Sequence, residues 1–298
     1  MSQPWLDQTS SVSDCRATDL TIREMTESDI GAGLRLCRLS GWNQLEPDWL
    51  LFLDLSPHGC RVVEKHGTVV GTVATLRYQD RFSWLAMVLV DPAERGAGIG
   101  TTLLEEGLAI LGGEECIKLD ATPLGEPLYA RHGFVEEFPL ARMTAPRGHR
   151  PPLVDSRQVR PMRQEDLPGI LFWDQNAFGA DRGPLLLHFF TQASQYAWVA
   201  GENKVLGYCF GRPGHKYDQI GPIVAKDENV AAALVSASLA DRERPFVIDA
   251  PTAKPSWVAR LNSFGFTQER PFVRMRRGVE RRPELEDTVF GIAGPEFG

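Results

Sequence analysis

The sequence predicts an α/β fold made of two tandem copies of one unit, and three observations point to it. First, the apolar run from Trp84 to Val90 stops at Asp91-Pro92 and passes through Arg95-Gly96-Ala97-Gly98-Ile99-Gly100 into a stretch where Leu103, Leu104, Leu108 and Leu111 fall at helical spacing. A strand therefore feeds a glycine-rich turn that opens a helix. Second, three segments of the first half return in the same order in the second half. Third, 298 residues exceed what one core usually covers.

In chain order, residues 1–18 are polar and Ser-rich and read as a flexible arm. Leu20 to Met25 alternates as a strand, and Thr26-Glu27-Ser28-Asp29 resembles a capping box ahead of a helix from Ile30 to Leu39. Val159 to Leu167 repeats this arrangement, with Arg160, Met162 and Asp166 matching Arg23, Met25 and Asp29. Val69-Val70-Gly71 returns as Val205-Leu206-Gly207, a hairpin strand in each half, and His132 to Met143 returns as Phe264 to Met275. So long a period marks duplicated domains, since solenoid repeats are far shorter. The Pro- and Gly-rich stretch Pro146 to Pro152 suits a linker. The expected units are 19–145 and 156–277, joined by a linker at 146–155. The tail, 278–298, is too apolar from Val289 onward to hang free and should pack on a domain.

The glycine-rich turn carries the chemistry. At a helix start the first backbone N–H groups have no intrahelical partner and the macrodipole adds partial positive charge, so the site favours an anion. Gly96, Gly98 and Gly100 remove side chains that would keep a phosphate from the amides, and Arg95 adds a fixed charge; together they read as a pyrophosphate cradle. The Walker form fails because Gly100 is followed by Thr101-Thr102 rather than Lys with Ser or Thr. The dinucleotide form GxGxxG is unmet by Gly96-Ala97-Gly98-Ile99-Gly100. In the second copy Val224 aligns with Val90 and is followed by Ala225-Lys226-Asp227-Glu228. These carboxylates would occupy the helix dipole themselves and repel a pyrophosphate, so that copy has lost the cofactor site.

Composition narrows the partners. Hydrophobic content of 43% and charged content of 24% are those of a soluble globular protein. A net charge of −7 disfavours nucleic acid, whose phosphates demand clustered Lys and Arg. The apolar runs are too short for a membrane span and the first residues lack a secretory pattern, so a cytoplasmic protein is expected. Five scattered cysteines without CxxC or Cys/His spacing read as free thiols, and no metal is expected.

Arg-Gly-x-Gly-Ile-Gly behind a Val-Asp-Pro strand end resembles the coenzyme A loop of the GNAT superfamily of N-acetyltransferases, and Tyr129-Ala130-Arg131-His132-Gly133-Phe134 resembles its closing Tyr-x-x-x-Gly-Phe. An intact first copy with a degenerate second one, together with Phe178-Gly179-Ala180-Asp181-Arg182, is similar to the bacterial tandem-GNAT proteins. The resemblance implies a mixed sheet in each copy and acetyl-CoA as co-substrate. It also implies pantetheine binding along the backbone of Val88, Leu89 and Val90. The amides of Gly96, Ala97, Gly98, Ile99, Gly100 and Thr101 would hold the pyrophosphate, with Arg95 and Arg131 as the local cations. It assigns Tyr129 as general acid to the leaving thiolate; the second copy has Leu261 there.

Relatives often carry a glutamate on the central strand, which Trp84-Leu85-Ala86-Met87-Val88 lacks. Asp120 is the first candidate base, with a substrate-positioning or purely structural role open beside it. Asp80 is the second candidate and a water chain the third. The acceptor pocket should be walled by Trp42, Asn43 and Tyr78, and by Phe178 to Arg182 if the second copy covers the opening. The leading expectation is an N-acetyltransferase acting on a primary amine of a small or amino-acid-like acceptor, as monomer or homodimer, with the second copy as lid or specificity element. A protein or peptide acetyltransferase and a non-catalytic acyl-CoA sensor are the alternatives.

Overall fold

The computed structural model describes residues 20–79, 81–146, 158–202, 204–240, 243–279 and 286–298. The expected arm, and the expected linker from 147 on, lie outside them. The first half runs β1 (Leu20–Glu24), α1 (Ile30–Leu39), α2 (Glu46–Leu55), β2 (Cys60–Lys65), β3 (Thr68–Tyr78), β4 (Phe82–Val90), α3 (Ile99–Ile110), β5 (Cys116–Ala121), α4 (Glu126–Arg131) and β6 (Val135–Ala145). The second half repeats it with β7 (Val159–Pro161), α5 (Leu167–Phe178), α6 (Gly183–Ala193), β8 (Trp198–Ala200), β9 (Gly207–Arg212), β10 (Asp218–Ala225), α7 (Glu228–Leu239), β11 (Phe246–Pro251), α8 (Pro255–Ser263) and β12 (Thr267–Gly278). A short β13 (Val289–Gly291) follows.

The repeat that opens each half is a structural clamp. Arg23 donates to both oxygens of Asp29 at 2.8 and 2.7 Å, and Asp29 Oδ2 also accepts from the Thr26 amide at 2.9 Å. Arg160 grips Asp166 at 2.7 Å on each oxygen, and the Arg163 amide completes the same turn. The guanidinium in each case holds the carboxyl below its usual range, Asp29 at about 2.

All the strands join one mixed sheet in the order β1-β2-β3-β4-β5-β12-β6-β11-β10-β9-β8-β7, with β13 on β10. The copies have exchanged their closing strands. β12 of the second half lies antiparallel on β5 of the first, β6 of the first lies antiparallel on β11 of the second, and β6 and β12 pair with each other. The expected units at 19–145 and 156–277 are therefore not separate blocks. Pairing both closing strands on each side leaves no open edge at the junction.

Two buried ion pairs follow the same exchange. Arg142 on β6 donates to both oxygens of Asp249 on β11 at 2.8 Å, and Arg274 on β12 donates to both oxygens of Asp120 on β5 at 2.8 and 2.9 Å. Each pair joins one copy to the other. Leu103 and Leu104 of α3 are buried on one face of the sheet, and Leu36, Trp49 and Phe52 of α1 and α2 are buried on another side of the first half.

The final residues run between the halves. Ile292 N donates to Asp249 O, Trp84 Nε1 donates to Pro295 O at 3.1 Å, and the Tyr78 hydroxyl donates to Phe297 O at 2.8 Å. Phe297 stacks on Phe52 with ring centroids 4.9 Å apart. Among the described residues no helix is long and apolar enough to cross a membrane.

Candidate active site

The site begins where β4 leaves β5. Among the described residues these parallel strands pair only at Ser83 with Ile117 and Trp84 with Lys118, after which β4 continues with no partner on that side. Met87 sits there at φ +55°, and Thr72 Oγ1 donates to its carbonyl at 2.8 Å. The ladder with β3 shifts register at this point, a bulge that turns the strand away from its neighbour. Val88, Leu89 and Val90 lie on the diverging segment and line a cleft of about 650 Å³.

At the end of β4 the chain makes a short turn, with Asp91 Oδ1 accepting from Ala93 N at 3.1 Å and Asp91 paired with Arg35 at 2.6 Å. Gly96 and Gly98 then take φ +83° and +86°, left-handed values that other residues adopt only under strain. A Cβ at either would meet nothing within 4 Å, so the glycines are needed for backbone direction rather than for room. Gly98 immediately precedes α3, whose first amides therefore open toward the cleft. Arg95, Gly96, Ile99 and Gly100 line that end. Unblocked helix amides beside an exposed arginine fit a phosphate-bearing group.

The matching place in the second copy is closed. Asp227 Oδ1 accepts from Val230 N at 2.9 Å and caps α7 with its own carboxylate. β10 pairs with β11 only at Asp218 and Gln219 and then diverges, but β13 pairs with β10 in the opening. Leu261, at the position matching Tyr129, is fully buried.

The far walls of the first cleft come from Tyr129 on α4, Trp42 after α1, and three distant segments: Arg142 on β6, Arg270 and Phe272 on β12, and Pro295-Glu296 of the tail. Tyr129 is half-buried, lies edge-on to Phe134 at 5.9 Å, and has its phenol pKa pushed up by burial, so it stays protonated through the neutral range.

Residues 32–134 match the acetyltransferase (GNAT) family and residues 170–291 match an acetyltransferase (GNAT) domain. The chain belongs to the GNAT acetyltransferases, as a tandem. A holothin acyltransferase of Pseudoalteromonas is 24% identical over 250 residues, covering 83% of this chain and 84% of its own. A crystal structure from Pyrococcus horikoshii, named as a candidate acetyltransferase, superposes with a TM-score of 0.80 at 23% identity, over 97% of this chain and 100% of that one. A tandem GNAT protein from the clavulanic acid biosynthesis pathway superposes at 0.62 with 16% identity, over 89% and 99%. The two superpositions establish the fold. The chain is thus an acyltransferase of the GNAT type, a family whose acyl donor is acetyl-CoA.

Several expected residues of this tandem GNAT protein serve other ends. Asp120 borders the cleft, but both its oxygens accept from Arg274 and both side chains are fully buried; the pair ties the copies together and leaves the carboxylate poorly placed to take a proton. Asn43 is a clamp between the halves, its Nδ2 donating to Tyr217 O at 2.9 Å and its Oδ1 accepting from Lys216 N and Tyr217 N at 2.8 and 3.1 Å. Tyr78 is buried against Phe82 and Phe178 with its hydroxyl spent on Phe297 O, away from the cleft walls. The corrections at Asn43 and Tyr78 share a cause: the second copy and the tail cover the surface that the acceptor was expected to meet.

Of the acceptor residues expected, Trp42 lines the cleft. Arg182 donates to both oxygens of Asp174 and to Gly298 O, while Asp181 accepts from Gly183 N, so that segment is structural. Arg131 is exposed and is not a cleft wall, and Asp80 lies outside the described residues. Cys37, Cys60 and Cys209 are buried, with their thiols pushed up to about 12, and among the described residues no cluster could hold a metal. Sequence reasoning missed Arg142, Arg270, Phe272, Pro295 and Glu296. The one available signal was that Arg142 and Arg274 stand at matching places in two apolar strands, where a charge demands a buried partner.

Proposed function

We propose that this chain transfers the acetyl group of acetyl-CoA to the primary amine of a small-molecule or amino-acid-like acceptor. The observation that carries the reading is the free side of β4 beyond Trp84, leading past two left-handed glycines to the amino end of α3 in one copy alone. Backbone groups of Val88, Leu89 and Val90 take the pantetheine amides as a missing strand would, and the N–H groups from Gly96 to Thr101 hold the pyrophosphate beside Arg95. Acetyl-CoA supplies an activated thioester. A backbone N–H of diverging β4 polarises the carbonyl oxygen. The Tyr129 phenol gives its proton to the departing thiolate sulfur.

The acceptor ammonium gives one proton to Glu296, the free amine forms the C–N bond as the C–S bond breaks, and the second amine proton restores the Tyr129 phenol. Glu296 Oε1 accepts from Arg212, its Oε2 makes no further hydrogen bond among the described residues, and the residue lines the same cleft. The enclosing walls from β12 and the tail favour a small acceptor over a protein lysine, which needs an open groove. A relative named holothin acyltransferase and a structural neighbour from the clavulanic acid pathway fit that preference.

The test is coenzyme A thiol release from acetyl-CoA across amino acids, polyamines, aminoglycosides and peptides, beside calorimetry of coenzyme A alone. The expected outcome is one coenzyme A per chain and turnover of one class of small amine. Turnover of peptides alone would replace the acceptor, and binding without any turnover would make the chain a sensor.

A further inference from the structure

The acceptor side of the cleft holds a cation that forms no ion pair among the described residues. Arg142 is bonded to Asp249, Arg274 to Asp120, and Arg212 to both Asp48 and Glu296. Arg270 differs from all three. It stands opposite Arg142 in the β6–β12 ladder and lines the cleft, and its Nε is buried with no hydrogen-bond partner. Among the described residues the guanidinium makes no hydrogen bond and no ion pair, and rests over the Phe272 ring at 4.8 Å. Burial and the adjacent Arg142 push its pKa down to about 10, so it remains a cation at neutral pH.

A buried donor left unmade is costly, and an ionised one more so, so a ligand that completes this guanidinium is strongly favoured. The charged groups that act most strongly on Arg270 are Arg142, Asp249, Glu269 and Glu296. The same cleft also exposes the opposite need, because Gln44 Oε1 is a buried acceptor without a donor among the described residues and Glu296 presents its carboxyl group there.

We infer that Arg270 receives a carboxylate of the acceptor, so that the substrate class is an amine that also carries a free carboxylate. The cation and the amine-seeking groups, Gln44 Oε1 and Glu296, then line one cleft, which matches the two charges of an amino-acid-like molecule. This rests on the amine-transfer reading above and extends it to the other end of the substrate. The planar fork of the guanidinium suits a carboxylate bidentately, which a lysine could not copy.

The experiment compares amino acids with their amides and their decarboxylated amines. Each compound is followed by thiol release with acetyl-CoA and by calorimetric binding to the protein loaded with coenzyme A, in the native chain, Arg270→Gln and Arg270→Lys. The acid member should be preferred. Arg270→Gln should weaken KM or Kd for the acid by about 10- to 100-fold while leaving the amide and coenzyme A unaffected, and Arg270→Lys should recover part of the loss. Equal use of acid and amide by the native chain overturns the inference and leaves the transfer reading standing. Carboxylate binding that depends on Arg270 without turnover does the reverse. Failure of every acid to bind, or loss of coenzyme A binding in both variants, also overturns it.

Discussion

The two copies open the same gap in the sheet and use it in opposite ways. β4 parts from β5 after Trp84 and β10 parts from β11 after Gln219, and the bulge residues Met87 and Gly221 occupy matching places in the two strands. In the first copy the gap stays open and leads to the bare amino end of α3. In the second it is filled by β13, and α7 is capped by Asp227. Gly221 is what admits the tail, since a Cβ there would lie 2.0 Å from Ile292 O. The lost site is nevertheless useful: by gripping β13 it directs the next residues, Pro295 and Glu296, into the wall of the working cleft. A degenerate copy thus becomes the scaffold for one wall of its twin's cleft.

The largest expected effect comes from breaking what both gaps stand on. Arg274→Ala removes the guanidinium that bonds both oxygens of buried Asp120 and should cost about 3–5 kcal/mol in denaturant unfolding, whereas Arg274→Met with Asp120→Leu should recover most of it. Next, Gly221→Ala should destabilise by about 3 kcal/mol, because its Cβ would meet the Ile292 carbonyl and push the tail off β10. Its coenzyme A stoichiometry sharpens the comparison. One per chain is expected even with the tail displaced, because Asp227 still blocks α7; two per chain would show that the tail alone closed the second site.

Tyr129→Phe should lower kcat by about 100-fold with unchanged coenzyme A affinity, as expected for loss of a general acid. An unaltered kcat would move proton delivery to another group and remove the functional contrast with Leu261. Gly98→Val asks a branched residue to adopt φ +86° and should weaken coenzyme A binding by about tenfold in calorimetry through a strain of about 1–2 kcal/mol.

The smallest effect tests the feature that the copies share. The carboxyl of Asp29 is held at about 2 when folded, below its unfolded value, so its contribution is present above about pH 4 and is lost as pH falls toward 2. Because Arg23 is 36% exposed, screening leaves about 1 kcal/mol. The difference in melting between the native chain and Asp29→Asn should shrink across that interval, and a constant difference would show that the clamp acts through shape alone.

What the sequence by itself determined is local. The glycine loop, the capped turn at Thr26 to Asp29 and its repeat, and the carboxylates at the start of α7 are each made by residues within one turn of one another, so their hydrogen bonds follow from order along the chain. The tertiary structure decided everything that depends on which distant segment arrives. His132 to Met143 and Phe264 to Met275 are similar enough to serve either copy, so nothing along the chain says that β6 and β12 trade places. That exchange gave Asp120 an arginine from the other copy and brought Arg270 to the cleft, while the second copy and the tail turned Asn43 and Tyr78 into interface residues and added Glu296. A buried charge needs a partner, but the partner's identity is settled by packing between segments far apart in sequence, where pattern and spacing carry no record of the contact.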